Sequence, residues 1–195
     1  MKIHSRFAIQ LLSCLFIASS ACAQETPDQK GTAGITELVL LPTIHRNHEK
    51  TKFYTLKRLE TVMRDIKPEI VCTEITPPSL ENYDKGKQDP RLSLFPEYTK
   101  VILPLRKELK YKVVPCSAYT KKINFRTVGI KAMDKAHYGR IAETLDHYQG
   151  QGKKILITFG SGHINGLLEH LRLRKDIKII DYRPTLEKLR KAPAQ

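Results

Sequence analysis

Residues 154–163, KILITFGSGH, carry the reading that decides the fold. Six residues that are almost wholly apolar read as a strand buried on both faces, and a glycine-rich turn ends in a histidine. The same signature occurs earlier in the chain. Residues 35–44 (ITELVLLPTI) form an apolar run followed directly by His45, and residues 69–76 (EIVCTEIT) form a second one carrying Glu74 near its end. Shorter runs at 112–116 and 177–182 read as a third and a fifth strand, with KILITF the fourth. Helical stripes lie between them. Phe53, Leu56, Leu59, Val62, Met63 and Ile66 share one face over 52–67, and Pro68 stops that helix. A second helix over 96–110 begins at Pro96 and is expected to kink at Pro104. A third, over 131–148, has Met133, Ile141, Leu145 and Tyr148 close to one face. Helices over 164–174 and 184–191 complete the set.

Strands apolar on both sides, alternating with helices, predict an α/β domain with a mainly parallel five-stranded sheet and helices on both faces. Its site is expected at the carboxyl edge of the strands. One domain over 35–192 suits the length of 195 residues. The stretch 77–94 shows no periodicity and reads as a long loop that could act as a lid.

The N-terminus reads as an export signal. Lys2 and Arg6 precede an apolar stretch over 7–17, too short to span a bilayer, and Ala21-Cys22-Ala23 supplies a small-residue cleavage site. A cut after Ala23 leaves a polar, flexible leader over 24–34 and predicts a periplasmic or secreted protein with no transmembrane span. A lipoprotein anchored through Cys22 is the lesser reading, because Ser19 stands where an apolar residue is usual. Losing Lys2 and Arg6 takes the formal charge from +14 to +12. Outside the cytoplasm that balance points to anionic envelope surfaces or anionic substrates, or simply to a solvated basic surface, and no nucleic-acid pattern accompanies it. Cys72 and Cys116 remain, and could pair in an oxidising compartment if their strands are neighbours in register.

His45, Glu74 and His163 follow three different strands yet fall on one predicted rim. Two imidazoles and a carboxylate are a usual set for Zn²⁺, Mn²⁺ or Fe²⁺, and without metal they remain competent for proton transfer. The backbone N–H groups of Ser161 and Gly162 could stabilise an oxyanion. His48 reads as a surface residue at a helix start, and His137, His147 and His170 as solvated helix residues. A dinucleotide site built on Gly160, Gly162 and Asp181 fails in detail, since Asn165 occupies the third glycine position.

The segments 41–45 (LPTIH), 70–74 (IVCTE) and 157–166 (ITFGSGHING) together resemble the Tiki/TraB/GumN-like superfamily, related to the erythromycin-esterase-like and ChaN-like proteins. That group has two Gly-x-x-His motifs on strand ends with a strand-borne Glu between them. The second motif matches as Gly160 to His163, while Pro42 stands in place of the first glycine. The resemblance implies an exported, metal-dependent hydrolase of amide, peptide or ester bonds, with His45, Glu74 and His163 as site and metal residues. Where the family commonly has an Arg-Asn pair, this chain has His137-Tyr138, with Arg140 nearby as a candidate substrate contact. The alternative is a non-catalytic periplasmic binding module of ChaN-like type, for a metal, haem or an anionic lipid.

Overall fold

The computed structural model describes residues 34–180, 182, 186 and 187, all within one compact unit. The segments expected to form an export signal and a leader, up to residue 33, lie outside the described residues. So do Asp181 and most of the helix expected over 184–191, of which Leu186 and Glu187 are helical. Gly34, counted above with the flexible leader, is tied down: its N–H donates to the Gly150 carbonyl at 3.0 Å, and its own carbonyl accepts from Gly152 at 3.1 Å.

Five strands, β1 (Thr36–Thr43), β2 (Ile70–Thr73), β3 (Lys112–Pro115), β4 (Lys154–Gly160) and β5 (Ile177–Ile180), form one all-parallel sheet in the order β3-β2-β4-β1-β5. The apolar runs bury both faces, and alternate residues sort between two cores. Val39, Leu41, Val71 and Leu156 face α1 (Leu56–Ile66) and the helical segment ending in α3 (Leu103–Leu109). Leu38, Ile70, Cys72, Ile155 and Ile157 face α4 (Phe125–His147) and α5 (Ile164–Leu171). Among the described residues no helix is long and apolar enough to cross a membrane.

Local chemistry sets the boundaries. Helix α1 starts at Leu56 rather than 52, because the Thr55 side chain caps it by accepting from the Arg58 N–H at 3.3 Å; Phe53 is left outside and exposed. The stretch 77–94 is a loop only over residues 85–91. Pro77 and Pro78 open a helix, α2 (Pro77–Asp84), where a missing N–H costs nothing, and the Thr76 side chain caps it. A 3₁₀ turn at Leu92–Leu94 follows. The kink expected at Pro104 takes the form of a π-helical turn, Tyr98–Ile102, immediately before α3. Helix α4 begins six residues earlier than expected, with Asn124 forming a capping box with Thr127, and breaks at Gly129 (φ 73°). Cys72 and Cys116 are fully buried and are free thiols, although β2 and β3 are neighbours. Contact with Cys116, together with burial, pushes the Cys72 thiol well above its ordinary pKa.

Tyr98 joins the helical layer to the sheet beneath the site. Its hydroxyl donates to the Thr158 carbonyl at 2.7 Å and accepts the Glu74 N–H at 3.0 Å, with the residue wholly buried. Tyr98→Phe strands a buried donor and a buried acceptor and should cost about 2–4 kcal/mol. Urea unfolding measures it, and a cost within about 0.5 kcal/mol of zero would contradict this role.

Candidate functional site

Because every strand runs the same way, His45, Glu74 and His163 leave the sheet at one edge. The order β2-β4-β1 sets Gly160 between the other two chain ends, and the register pairs Thr43 with Gly160 and Thr73 with Thr158. Glu74 is the centre. One carboxylate oxygen, Oε2, accepts the Gly160 N–H at 2.6 Å and lies 3.9 Å from His45 Nε2; the other, Oε1, lies 3.5 Å from His163 Nε2. Burial pushes the carboxyl pKa up, but contact with His163, the Gly160 N–H and the charge of His45 outweigh it and hold the group below its usual value.

Each imidazole is oriented from behind by its own buried acid. His45 Nδ1 donates to Glu97 Oε1 at 2.7 Å, and His163 Nδ1 donates to Asp134 Oδ1 at 2.5 Å. Glu97 is wholly buried and Asp134 nearly so. Both Nε2 atoms are thereby turned toward Glu74. For both rings burial lowers the pKa, yet the acids more than compensate and the pKa lies above its usual value. They differ in access. The His45 side chain is 36% exposed and that of His163 only 5%. His45 has a left-handed backbone (φ 51°), uncommon for a non-glycine residue, with the Phe95 ring edge-on at 4.8 Å. The turn is braced by His48, expected at the surface but buried: its Nε2 accepts the Ile44 N–H at 3.1 Å and its Nδ1 donates to the Tyr54 carbonyl at 2.8 Å.

Two glycines are required by close approach. A Cβ on Gly160 would sit 2.6 Å from His45 Nε2 and 3.2 Å from Glu74 Oε2; one on Gly166 would sit 2.0 Å from Asp134 Oδ2. Gly160, the first residue of the Gly-x-x-His motif, thus makes room for His45 and Glu74 as well as turning the chain, and Gly166, three residues past the motif, makes room for Asp134.

His137 departs from the solvated helix position expected of it. It is buried, not solvated, and packs edge-on to His163 with ring centres 4.9 Å apart. Glu74, His137 and His163 each offer an atom within 4.8 Å of the others, close enough to share an ion, and His45 stands outside that group. The hydrogen-bond pattern argues against His137 as the third ligand. Its Nδ1 accepts the Ala118 N–H at 3.0 Å, so the neutral ring carries its proton on Nε2 and has no lone pair there to give. That Nε2 is buried with no partner among the described residues. Burial, with the charge of His163, lowers the His137 pKa from 6.5 to about 4.

Ser161 and Gly162 form the exposed 3₁₀ turn Ser161–His163 and border an open cleft of about 590 Å³ that also holds His45, Glu74 and His163. Arg140 does not reach it. Arg140 pairs with Glu143 at 3.5 Å and lines a separate groove beside Asn82 and Lys121. His147 is exposed as expected, while His170 is half-buried and stacks on Tyr138. No protein-family model matches the chain, and no curated protein or solved structure matches it, so the site is read from its own geometry.

Gly166→Ala should leave the fold intact but drive the Asp134 carboxylate away from His163, lowering the pKa of that imidazole. An NMR titration of its Cε1–H reads the change, and an unaltered pKa would contradict the packing described. The sign for His137 follows from its lowered pKa: the unfolded chain binds a proton near 6.5 that the folded protein refuses until about 4. Stability contributed above 6.5 is therefore lost as pH falls through that interval. Unfolding free energies of the protein and of His137→Gln, compared at pH 7 and pH 4, should differ in this sense; equal pH slopes would refute it.

Proposed function

We propose that this chain is an exported hydrolase of amide, peptide or ester bonds, acting outside the cytoplasm through His45, Glu74 and His163 and dependent on a divalent metal. One observation carries the reading: two imidazoles, each held at Nδ1 by a buried acid, direct their Nε2 atoms at the two oxygens of a single buried carboxylate beside an open cleft. Structural histidines satisfy both ring nitrogens locally, as His48 does here. Orienting two rings toward one ionised acid is an arrangement suited to moving protons or binding a cation.

Glu74 and His163 are the donors that would hold the ion, because His137 carries its proton on the facing nitrogen and His45 stands outside the closest group. Two protein donors leave the remaining coordination positions of manganese, zinc or iron to water and substrate. When bound, such an ion supplies polarisation of the scissile carbonyl and a water acidified toward neutrality. The rest falls to the chain. His45, the accessible imidazole, takes the proton from the attacking water at Nε2, and Glu97 stabilises the imidazolium that results. The same proton then passes to the leaving group. The backbone N–H groups at Ser161 and Gly162 border the cleft where charge develops on the carbonyl oxygen. Glu74 remains ionised throughout, stabilised by the Gly160 N–H.

The second reading, a non-catalytic binding module, is favoured by one feature: a partly open, largely apolar cavity of about 300 Å³ adjoins Glu74. Saturable ligand binding without turnover would select it. The test of the first reading is elemental analysis of the purified protein and a screen against ester and peptide substrates, with and without chelator, for the protein and for His163→Ala. Activity should require a divalent metal and fall at least 10²-fold in the variant. Equal activity in both proteins would sink the proposal.

A further inference from the structure

A partly open cavity adjoining the cleft shares Glu74, Leu94 and Phe95 with it and is also lined by Leu92, Met133 and His137. Its volume is roughly that of ten water molecules, enough for a chain of a few carbons and too small for a folded peptide or a porphyrin. Its walls are largely apolar, and most of the polar groups on them are partnered: Thr76 and Ser79 bond each other, Ser117 accepts the Tyr119 N–H, and the exposed Arg91 lies over the Tyr119 ring. The Glu74 carboxylate is already supplied with donors. His137 is the exception, only 1% exposed, with an Nε2 that finds no acceptor among the described residues.

The chemistry of the occupant follows. The Ala118 N–H fixes the His137 proton on Nε2, and the Phe159 and His163 rings, with centres 5.2 and 4.9 Å away, hold the imidazole edge-on between them. A ring so fixed presents a donor and requires an acceptor. An alkane or a protonated amine supplies none, and a free carboxylate seated on that N–H, away from the exposed Arg91, would lie beside the Glu74 carboxylate, which has an oxygen within 4.8 Å of a His137 ring nitrogen. We propose that this cavity binds the short apolar acyl portion of an uncharged amide or ester, whose carbonyl oxygen accepts the Nε2–H of His137. That this acyl group belongs to a substrate rests on the hydrolase reading of the cleft; occupancy of the cavity does not.

The probe is N-methylhexanamide, an uncharged acyl amide, followed by NMR on protein labelled with ¹⁵N-histidine. The unliganded protein should show His137 as the Nε2–H tautomer, and that proton should move downfield as the amide is added. His137→Phe keeps the ring and removes the donor, and should weaken binding about tenfold; His137→Gln restores an N–H and should recover most of it. An Nδ1–H tautomer, equal affinity in the phenylalanine variant, or no binding up to the solubility of the amide would each overturn the proposal. If His137→Phe does not fold, the tautomer and the titration of the unaltered protein still decide. Amide binding with no turnover of any ester, amide or peptide sinks the hydrolase reading and keeps the cavity, whereas turnover without amide binding does the reverse.

Discussion

A buried carboxylate must be satisfied from several sides, and that requirement at Glu74 shapes this edge of the sheet. Ionised and almost enclosed, it needs donors that a β-strand end cannot provide by itself. The Gly160 N–H supplies one, two imidazoles face the remaining lone pairs, and the Tyr98 hydroxyl fixes the backbone from which the side chain projects. These partners come from β4, from the turns after β1 and β4, and from the π-helical segment. Only a sheet that places β4 between β2 and β1 brings them together. Fold and site are therefore one constraint seen at two scales.

Much of this was legible in the chain. The apolar runs located all five strands within a few residues, and their two-sided burial followed from the absence of polar alternation. Placing His45, Glu74 and His163 on one rim needed only that the strands be parallel. The order of the strands was not legible, because hydrophobic period records burial and carries no label for a neighbour. Helix α2 was missed because Pro77-Pro78 read as a terminator, when prolines after a capping Thr76 are an initiator.

The misreading of His137 is instructive because its signal was present. Met133, His137, Ile141 and Leu145 recur at four-residue intervals, so the histidine lies on the stripe that buries α4 against the sheet. A polar residue in a core stripe signals a buried environment and a need for a hydrogen-bond partner. Asp134 and Glu97, the acids behind the two imidazoles, carried a fainter signal: both are first-turn or mid-helix acids of an ordinary kind. Only three-dimensional proximity shows what they hold. Cys72 and Cys116 illustrate the limit from the other side, since adjacent strands permit a pairing that the free thiols do not make.

The central claim is that Glu74 acts as a charge shared by two oriented imidazoles and is not merely a polar plug in the sheet edge. Glu74→Gln separates these roles, because the amide oxygen can still accept the Gly160 N–H while the charge is gone. Turnover and metal content of the variant, measured alongside its melting temperature, give the most direct answer. The account predicts that hydrolysis and bound metal both disappear while the protein stays folded; a variant that retains both would show that the convergence at Glu74 has no chemical purpose.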